Sequence, residues 1–188
     1  MHNEFGPVMQ LGYIVDDIEQ VAMEWVKRAG VGPFYLLDGV KMDQYYYRGV
    51  RMDVELRLAF AYWGQVQVEL IHPLDSADSF YNRALKEAPG KLNHCATVVK
   101  GDLDALLDRH NLADRVVHAA DMSSGLKFVY LENYLPGGLH LELIQAQEST
   151  LHAFEGMRAV AEHWDGKNPI RPMADVAADI AGLNQRDL

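Results

Sequence analysis

Short apolar, β-branched runs alternate along the chain with segments of helical spacing, and the whole order then repeats. "PVMQLGYIV" (7–15) reads as a strand. Asp16 and Asp17 offer an N-cap to "IEQVAMEWVKRAG", where Ile18, Val21, Ala22, Trp25 and Val26 keep the three–four spacing of an amphipathic helix. "GVGPF" (30–34) ends that helix, and strands are predicted around 34–40, 44–50, 54–63 and 65–72. "PLDSADSFYNRALKEAPG" (73–90) is a linking loop with room for a short helix. "KLNHCATVV" (91–99) then restarts the pattern as a strand, and "GDLDALLDRHN" (101–111) is a helix with Asp102 or Asp104 near its start. Strands near 114–119, 125–131 and 138–145 follow, the last after the turn "YLPGG" (134–138).

Each half is thus strand, helix and a run of about three strands, an α+β order and not the strict alternation of a doubly wound sheet. Two βαβββ modules, about 7–73 and 91–146, are expected to form an incomplete barrel around a shared cleft, within a domain spanning 1–148. Residues 149–188 lie outside the repeat as a C-terminal helical extension, with helices predicted over 150–164 and near 173–183 around the break "NPIRPM". Leu151, Phe154, Met157, Val160 and Ala161 form an apolar stripe on the first of these helices. Its partner is the outer barrel wall, a second chain or the cleft mouth.

Two of the apolar strands are interrupted by a carboxylate. "VQVELIHP" (66–73) carries Glu69 and "LHLELIQA" (139–146) carries Glu142, with Glu-Leu-Ile recurring 142 − 69 = 73 residues later. An unpaired carboxylate in a dry core is costly enough that it neutralises or finds a cation. Gln10 in the first strand and His94 in the first strand of the second half hold corresponding places. If the halves face one another, an amide oxygen, two carboxylates and an imidazole nitrogen converge, a donor set suited to a divalent cation with open positions.

Composition narrows the setting. The net charge of −10 leaves no basic surplus for nucleic acid or an anionic membrane surface. The single cysteine, Cys95, excludes an intramolecular disulfide framework and a Cys-rich zinc site. No uncharged apolar stretch approaches the ~20 residues of a membrane span, and "MHNEFGPVMQ" lacks a secretory h-region. A cytoplasmic protein is expected.

Through "MQLGYIVDDIEQVA", "GVGPF", "GQVQVELIHPL", "LNHCATVV" and "PGGLHLELIQA", residues 7–146 resemble the vicinal oxygen chelate superfamily of glyoxalase I, methylmalonyl-CoA epimerase and extradiol dioxygenase families. "ELIHPL" and "GGLHLELIQA" look especially like the epimerases. The resemblance implies a metal held by Gln10, Glu69, His94 and Glu142. A Gln/Glu/His/Glu set is similar to that of some glyoxalase I enzymes, whereas epimerases carry His at the first place. It further implies nickel, cobalt, zinc or manganese in preference to iron, and a small-molecule carbonyl substrate whose α-proton is moved through a metal-stabilised enolate. Glu142 and Glu69 are the candidate bases. A homodimer is expected, since dimers are common for this fold.

Other polar residues have two readings each. His140 shares strand parity with Glu142 and faces the same cleft, either as a substrate contact or as a support to the ligands. Tyr45 and Tyr47 of "DQYYYRG", with Tyr62 or Trp63, form either an aromatic substrate wall or cross-strand packing. Glu55 is a further base or a solvated strand residue, and Arg48 or Arg57 a carboxylate anchor or surface charge. Three functions compete: a metal-dependent isomerase, epimerase or lyase; an extradiol-type dioxygenase, whose two-His, one-carboxylate triad Gln10 and Glu69 fit poorly; and a metal-free binding protein.

Overall fold

The protein, seen in a computed structural model that describes residues 4–184, is organised by one curled sheet. The first module contributes β1 (Gln10–Ile14), α1 (Ile18–Ala29), β2 (Phe34–Lys41), β5 (Glu55–Trp63) and β6 (Val66–Pro73). A hairpin, β3 (Gln44–Tyr47) and β4 (Val50–Met52), is inserted between β2 and β5. After α2 (Phe80–Glu87) the second module repeats the order as β7 (Leu92–Val98), α3 (Leu103–Arg109), β8 (Val116–Asp121), β9 (Lys127–Leu135) and β10 (Leu139–Gln145). The extension holds α4 (Glu148–Glu162), β11 (Ile170–Pro172) and α5 (Val176–Asn184).

Strand order is β11-β2-β5-β6-β1-β7-β10-β9-β8-β3-β4, so β2-β5-β6-β1 is mirrored by β7-β10-β9-β8 across the antiparallel β1–β7 pair. The helices begin where local chemistry dictates. Asp17 accepts the Gln20 N–H at 2.9 Å to start α1, and Asp102 accepts that of Ala105 at 2.8 Å to start α3. Gly30, at φ 65°, stops α1 in a left-handed conformation that glycine adopts without strain. α1 buries Ile18 and Ala22 against Ala59, Ala61 and Val68 on the convex face of module one. α3 does the same with Leu103, Leu106 and Leu107 on module two.

Two features depart from the sequence expectation, and a third decides between the partners open to the apolar stripe of the extension. The predicted strand 44–50 does not extend module one's own sheet. Its hairpin crosses the open side of the curl and pairs with β8, Tyr45 opposite Ala120 and Tyr47 opposite His118. Asp43 in the crossing accepts the Ser123 N–H at 2.7 Å. The "NPIRPM" break contains a three-residue strand, β11, which adds in parallel to β2. Finally, α4 seats on the concave face, Met157 and Val160 being buried with Tyr35 and Tyr62, side by side with Phe60 and Phe154. Tyr35 stands opposite Phe60, and Phe60 opposite Glu69, so α4 covers the same face that carries the carboxylates. Among the described residues no helix is long and apolar enough to cross a membrane.

Candidate metal centre

Register alone aligns the candidate ligands. Across β6, β1, β7 and β10, one row reads Glu69, Gly12, His94, His140 and the next reads Gln67, Gln10, Ala96, Glu142. In a flat sheet, β6 and β10 would stand three spacings of ~4.8 Å apart. The curl closes that gap, and one donor atom each from Glu69, His94 and Glu142 lies within 4.8 Å of the other two. His94 Nε2 is 3.4 Å from Glu69 Oε2 and 3.2 Å from Glu142 Oε2. Gln10, Glu69, His94 and Glu142 are all buried.

Gly12 makes the approach possible. A Cβ added there would lie no farther than 2.5 Å from His94 Cε1, Nε2 and Nδ1, so the imidazole leans across a position that must have no side chain. His94 Nδ1 is 3.2 Å from the Asn93 amide oxygen, an acceptor that favours a proton on Nδ1 and directs Nε2 at the carboxylates. Gln10 is oriented in the same way. Its Nε2 donates to Gln67 Oε1 at 2.8 Å, and Gln67 Nε2 in turn donates to the Tyr62 hydroxyl at 3.1 Å. That leaves Gln10 Oε1 buried with no partner among the described residues. A buried acceptor without a donor beside two buried carboxylates is the arrangement a cation satisfies. The donor set therefore fits a divalent ion, and in this cluster it contains a single imidazole.

Burial raises the Glu69 carboxyl above its usual range, and the Glu142 charge adds to this against the lowering effect of His94. Burial would lower His94, but hydrogen bonds and charge from Glu142 and Glu69 outweigh it and push it up to about 9. A histidine raised above its unfolded value of ~6.5 contributes stability that is complete below that pH and disappears as pH climbs through the folded value. Metal-stripped protein should accordingly lose melting temperature between about pH 7 and about pH 10, a slope that His94→Gln flattens. Calorimetry across that range checks it, and parallel slopes for both proteins would contradict the triad.

Above the centre lies a cavity of about 90 Å³ with Gln10, Glu69 and Glu142 at its floor and Tyr81, Tyr130, Phe60, Phe128 and Phe154 in its walls. Burial pushes both Tyr81 and Tyr130 well above the ordinary phenol range, so both present neutral hydroxyls. The Tyr130 hydroxyl is 3.2 Å from His94 Nε2.

None of the aromatic or histidine substrate contacts expected from the sequence lines this cavity. Tyr45 and Tyr47 do lie on the concave side, but Phe80 and Tyr81 from α2 intervene. Tyr45 is fully buried with its ring stacked on Tyr81, and Tyr47 packs on Phe80 beside a separate surface pocket. His140 opens on that same outer pocket, where its Nδ1 accepts the Asn133 N–H at 3.1 Å. Tyr62 serves behind Gln10 through Gln67, and Trp63 is exposed against Trp25. Glu55 lies at the start of β5, 3.9 Å from Lys41 Nζ and away from the cavity. Arg57 is turned to Glu19 and Asp38, and Arg48 to Glu132. Gly12, Gln67, Tyr81 and Tyr130 are the members that sequence reasoning passed over. Gln67 alone carried a signal, as a polar residue sharing the parity of Glu69.

Residues 9–130 match the glyoxalase/bleomycin resistance protein/dioxygenase superfamily. Among solved structures, methylmalonyl-CoA epimerase from Mycobacterium tuberculosis is similar over 81% of this chain and 96% of its own, at 18% identity and a TM-score of 0.54. A hypothetical protein from Bacillus halodurans C-125 is similar over 76% of this chain and 95% of its own, at 19% identity and a TM-score of 0.52. At such identities the likeness is one of fold. No curated protein matches the sequence.

Proposed function

The chain belongs to the glyoxalase/bleomycin resistance protein/dioxygenase superfamily, and on that footing we propose that it is a divalent-metal-dependent isomerase, epimerase or lyase that removes a proton next to a substrate carbonyl. The observation that carries this reading is the convergence of Glu69, His94 Nε2, Glu142 and the unpartnered Gln10 Oε1 beneath one cavity. A nickel, cobalt, zinc or manganese ion held by these four groups would polarise the substrate carbonyl as a Lewis acid.

The chain's own groups account for the remaining steps. Glu69 and Glu142 reach the centre from β6 and β10, on either side of Gln10 and His94, so a carbon above the floor has a carboxylate on each flank. One removes the α-proton and the same or the opposite one returns it, giving exchange, isomerisation or epimerisation. Tyr81 and Tyr130, held neutral, orient by hydrogen bonding and do not act as bases. The apolar walls exclude water that would otherwise screen these charges. A single imidazole disfavours the two-histidine iron triad of ring-cleaving dioxygenases.

The test is α-proton exchange. Small ketones and 2-oxo compounds are incubated in D2O with protein reconstituted with nickel, cobalt, zinc or manganese, and deuterium uptake is followed by NMR. Exchange that a chelator abolishes and re-added metal restores is the expected result. Fully metal-loaded protein that exchanges none of the panel would overturn the reading.

A further inference from the structure

We infer that Tyr62 is a positioning residue for the metal centre: acting through Gln67, its hydroxyl decides which end of the Gln10 amide is presented to the ion. The inference rests on the metal-dependent reading above. An amide carries an acceptor at one end and donors at the other in nearly the same shape, so its hydrogen-bond partners choose between them. Gln10 Nε2 donates to Gln67 Oε1 at 2.8 Å, which commits Gln67 Nε2 to the Tyr62 oxygen at 3.1 Å. Gln10 Oε1 is the end left over for a cation. Gln10 and Tyr62 are 3% and 7% exposed and Gln67 is fully buried, so bulk water does not stand in for either link.

The same three groups could be bonded in the opposite direction. Gln67 Nε2 would then donate to Gln10 Oε1, and the Gln10 nitrogen would be the end turned to Glu69 and Glu142. That direction suits two carboxylates but presents donors where a cation needs a lone pair. Tyr62 sets the balance because its oxygen accepts from Gln67 in the direction seen. With no oxygen at residue 62, that direction leaves a buried N–H unpaired, whereas the reversed one leaves only a carbonyl so. A buried N–H without an acceptor is the rarer and costlier of the two. Removing the hydroxyl should therefore turn the Gln10 oxygen away from the ion.

Met157 and Val160 of α4 are buried in the same cluster as Tyr62, so the C-terminal extension keeps the far end of the relay dry. The repeat does not build the relay twice. His140 stands two residues before Glu142 as Gln67 does before Glu69, yet it opens on the outer pocket, and His94 takes Asn93 in its place.

Manganese and cobalt(II) affinities are measured by calorimetry on the full-length protein and on Tyr62→Phe, Gln67→Leu and Gln10→Ala. Tyr62→Phe and Gln67→Leu should each lower affinity by about ten- to a hundredfold, the range of a partner that supports a ligand. Combining them should add little, since both break one relay. In the Gln10→Ala background, Tyr62→Phe should change affinity by less than about twofold. The cobalt absorption spectrum of Tyr62→Phe should move towards that of Gln10→Ala, each having lost the same oxygen ligand. Thermal melting reports whether the variants fold, and a general packing defect would lower affinity with or without Gln10.

Full affinity in Tyr62→Phe and Gln67→Leu, an additive double variant, or a loss that persists in the Gln10→Ala background would overturn the inference. So would a Gln10→Ala protein that binds metal as tightly as the unsubstituted chain. Deuterium uptake by the unsubstituted, metal-loaded protein scores the proton-transfer reading separately. Exchange with a metal affinity indifferent to Tyr62 defeats the relay alone. Metal binding that follows the Tyr62 pattern without exchange defeats the chemistry and leaves the relay standing.

Discussion

Protein stripped of metal and carrying both Glu69→Gln and Glu142→Gln should melt at or above the temperature of the unsubstituted chain, yet its affinity for a divalent cation should fall by more than about a hundredfold. That loss exceeds the 10–100-fold typical of a partner that merely supports a ligand. The stability half follows from burial. Glu69, His94 and Glu142 are a charged cluster with almost no solvent access, and replacing buried ionic groups by neutral ones of like shape is often neutral or stabilising. Removing one member has the opposite effect. His94→Ala leaves two carboxylates facing each other without a counter-charge and should cost about 3–5 kcal/mol in the metal-free protein near neutral pH. Calorimetric melting beside metal titration distinguishes the two cases. A double variant that unfolds early yet retains full metal affinity would reduce the cluster to a structural ion pair.

Gly12→Ala should be nearly as damaging to binding, although it alters no charge and no ligand. The added methyl would overlap three atoms of the His94 ring, which is itself fully buried and packed edge-on against Tyr130 at 4.7 Å between centroids. The ring must leave its position between Glu69 and Glu142, or the strands must part. Overpacking of this kind costs typically ~1–3 kcal/mol, and metal affinity should drop at least about a hundredfold because the imidazole no longer points at the carboxylates. Gly182→Ala is the control. It meets open space within α5, and an alanine there should be neutral or gain up to ~1 kcal/mol of helix propensity. A Gly12→Ala protein with unchanged metal titration would show that His94 is not held by this contact.

Much of this architecture could be read locally. Glu69 and Glu142 interrupt otherwise apolar strands, and the repeat carrying them is visible because both modules must bury the same pattern against the same kind of neighbour. Parity likewise put Tyr45 and Tyr47 on one face of their strand and His140 on the face of Glu142. What parity does not contain is which element fills the space above a strand. Phe80 and Tyr81 belong to a segment that reads as a link, yet α2 inserts both rings into the curl and separates Tyr45 from the carboxylates. The crossing of β3 to β8 is decided by pairing between distant strands, for which "DQYYYRG" carries no local marker. Gly12 is silent for the same reason: its importance lies in the imidazole that a neighbouring strand leans over it. The stripe Leu151, Phe154, Met157, Val160 demanded a partner, but its period fits an outer wall as well as a cleft. Tyr35 and Tyr62, two aromatic rings opposite the ligand rows on module one's inner face, supply that partner.

The most direct test of the account is a crystal structure of the manganese- or nickel-loaded protein with anomalous data collected at the metal edge. The account requires one strong peak within ~2.0–2.3 Å of Gln10 Oε1, a Glu69 carboxylate oxygen, His94 Nε2 and a Glu142 carboxylate oxygen, with the remaining coordination positions directed into the apolar cavity. A peak at any other place, or Glu69, His94 and Glu142 still joined to one another with no metal between them at saturating concentration, would contradict it.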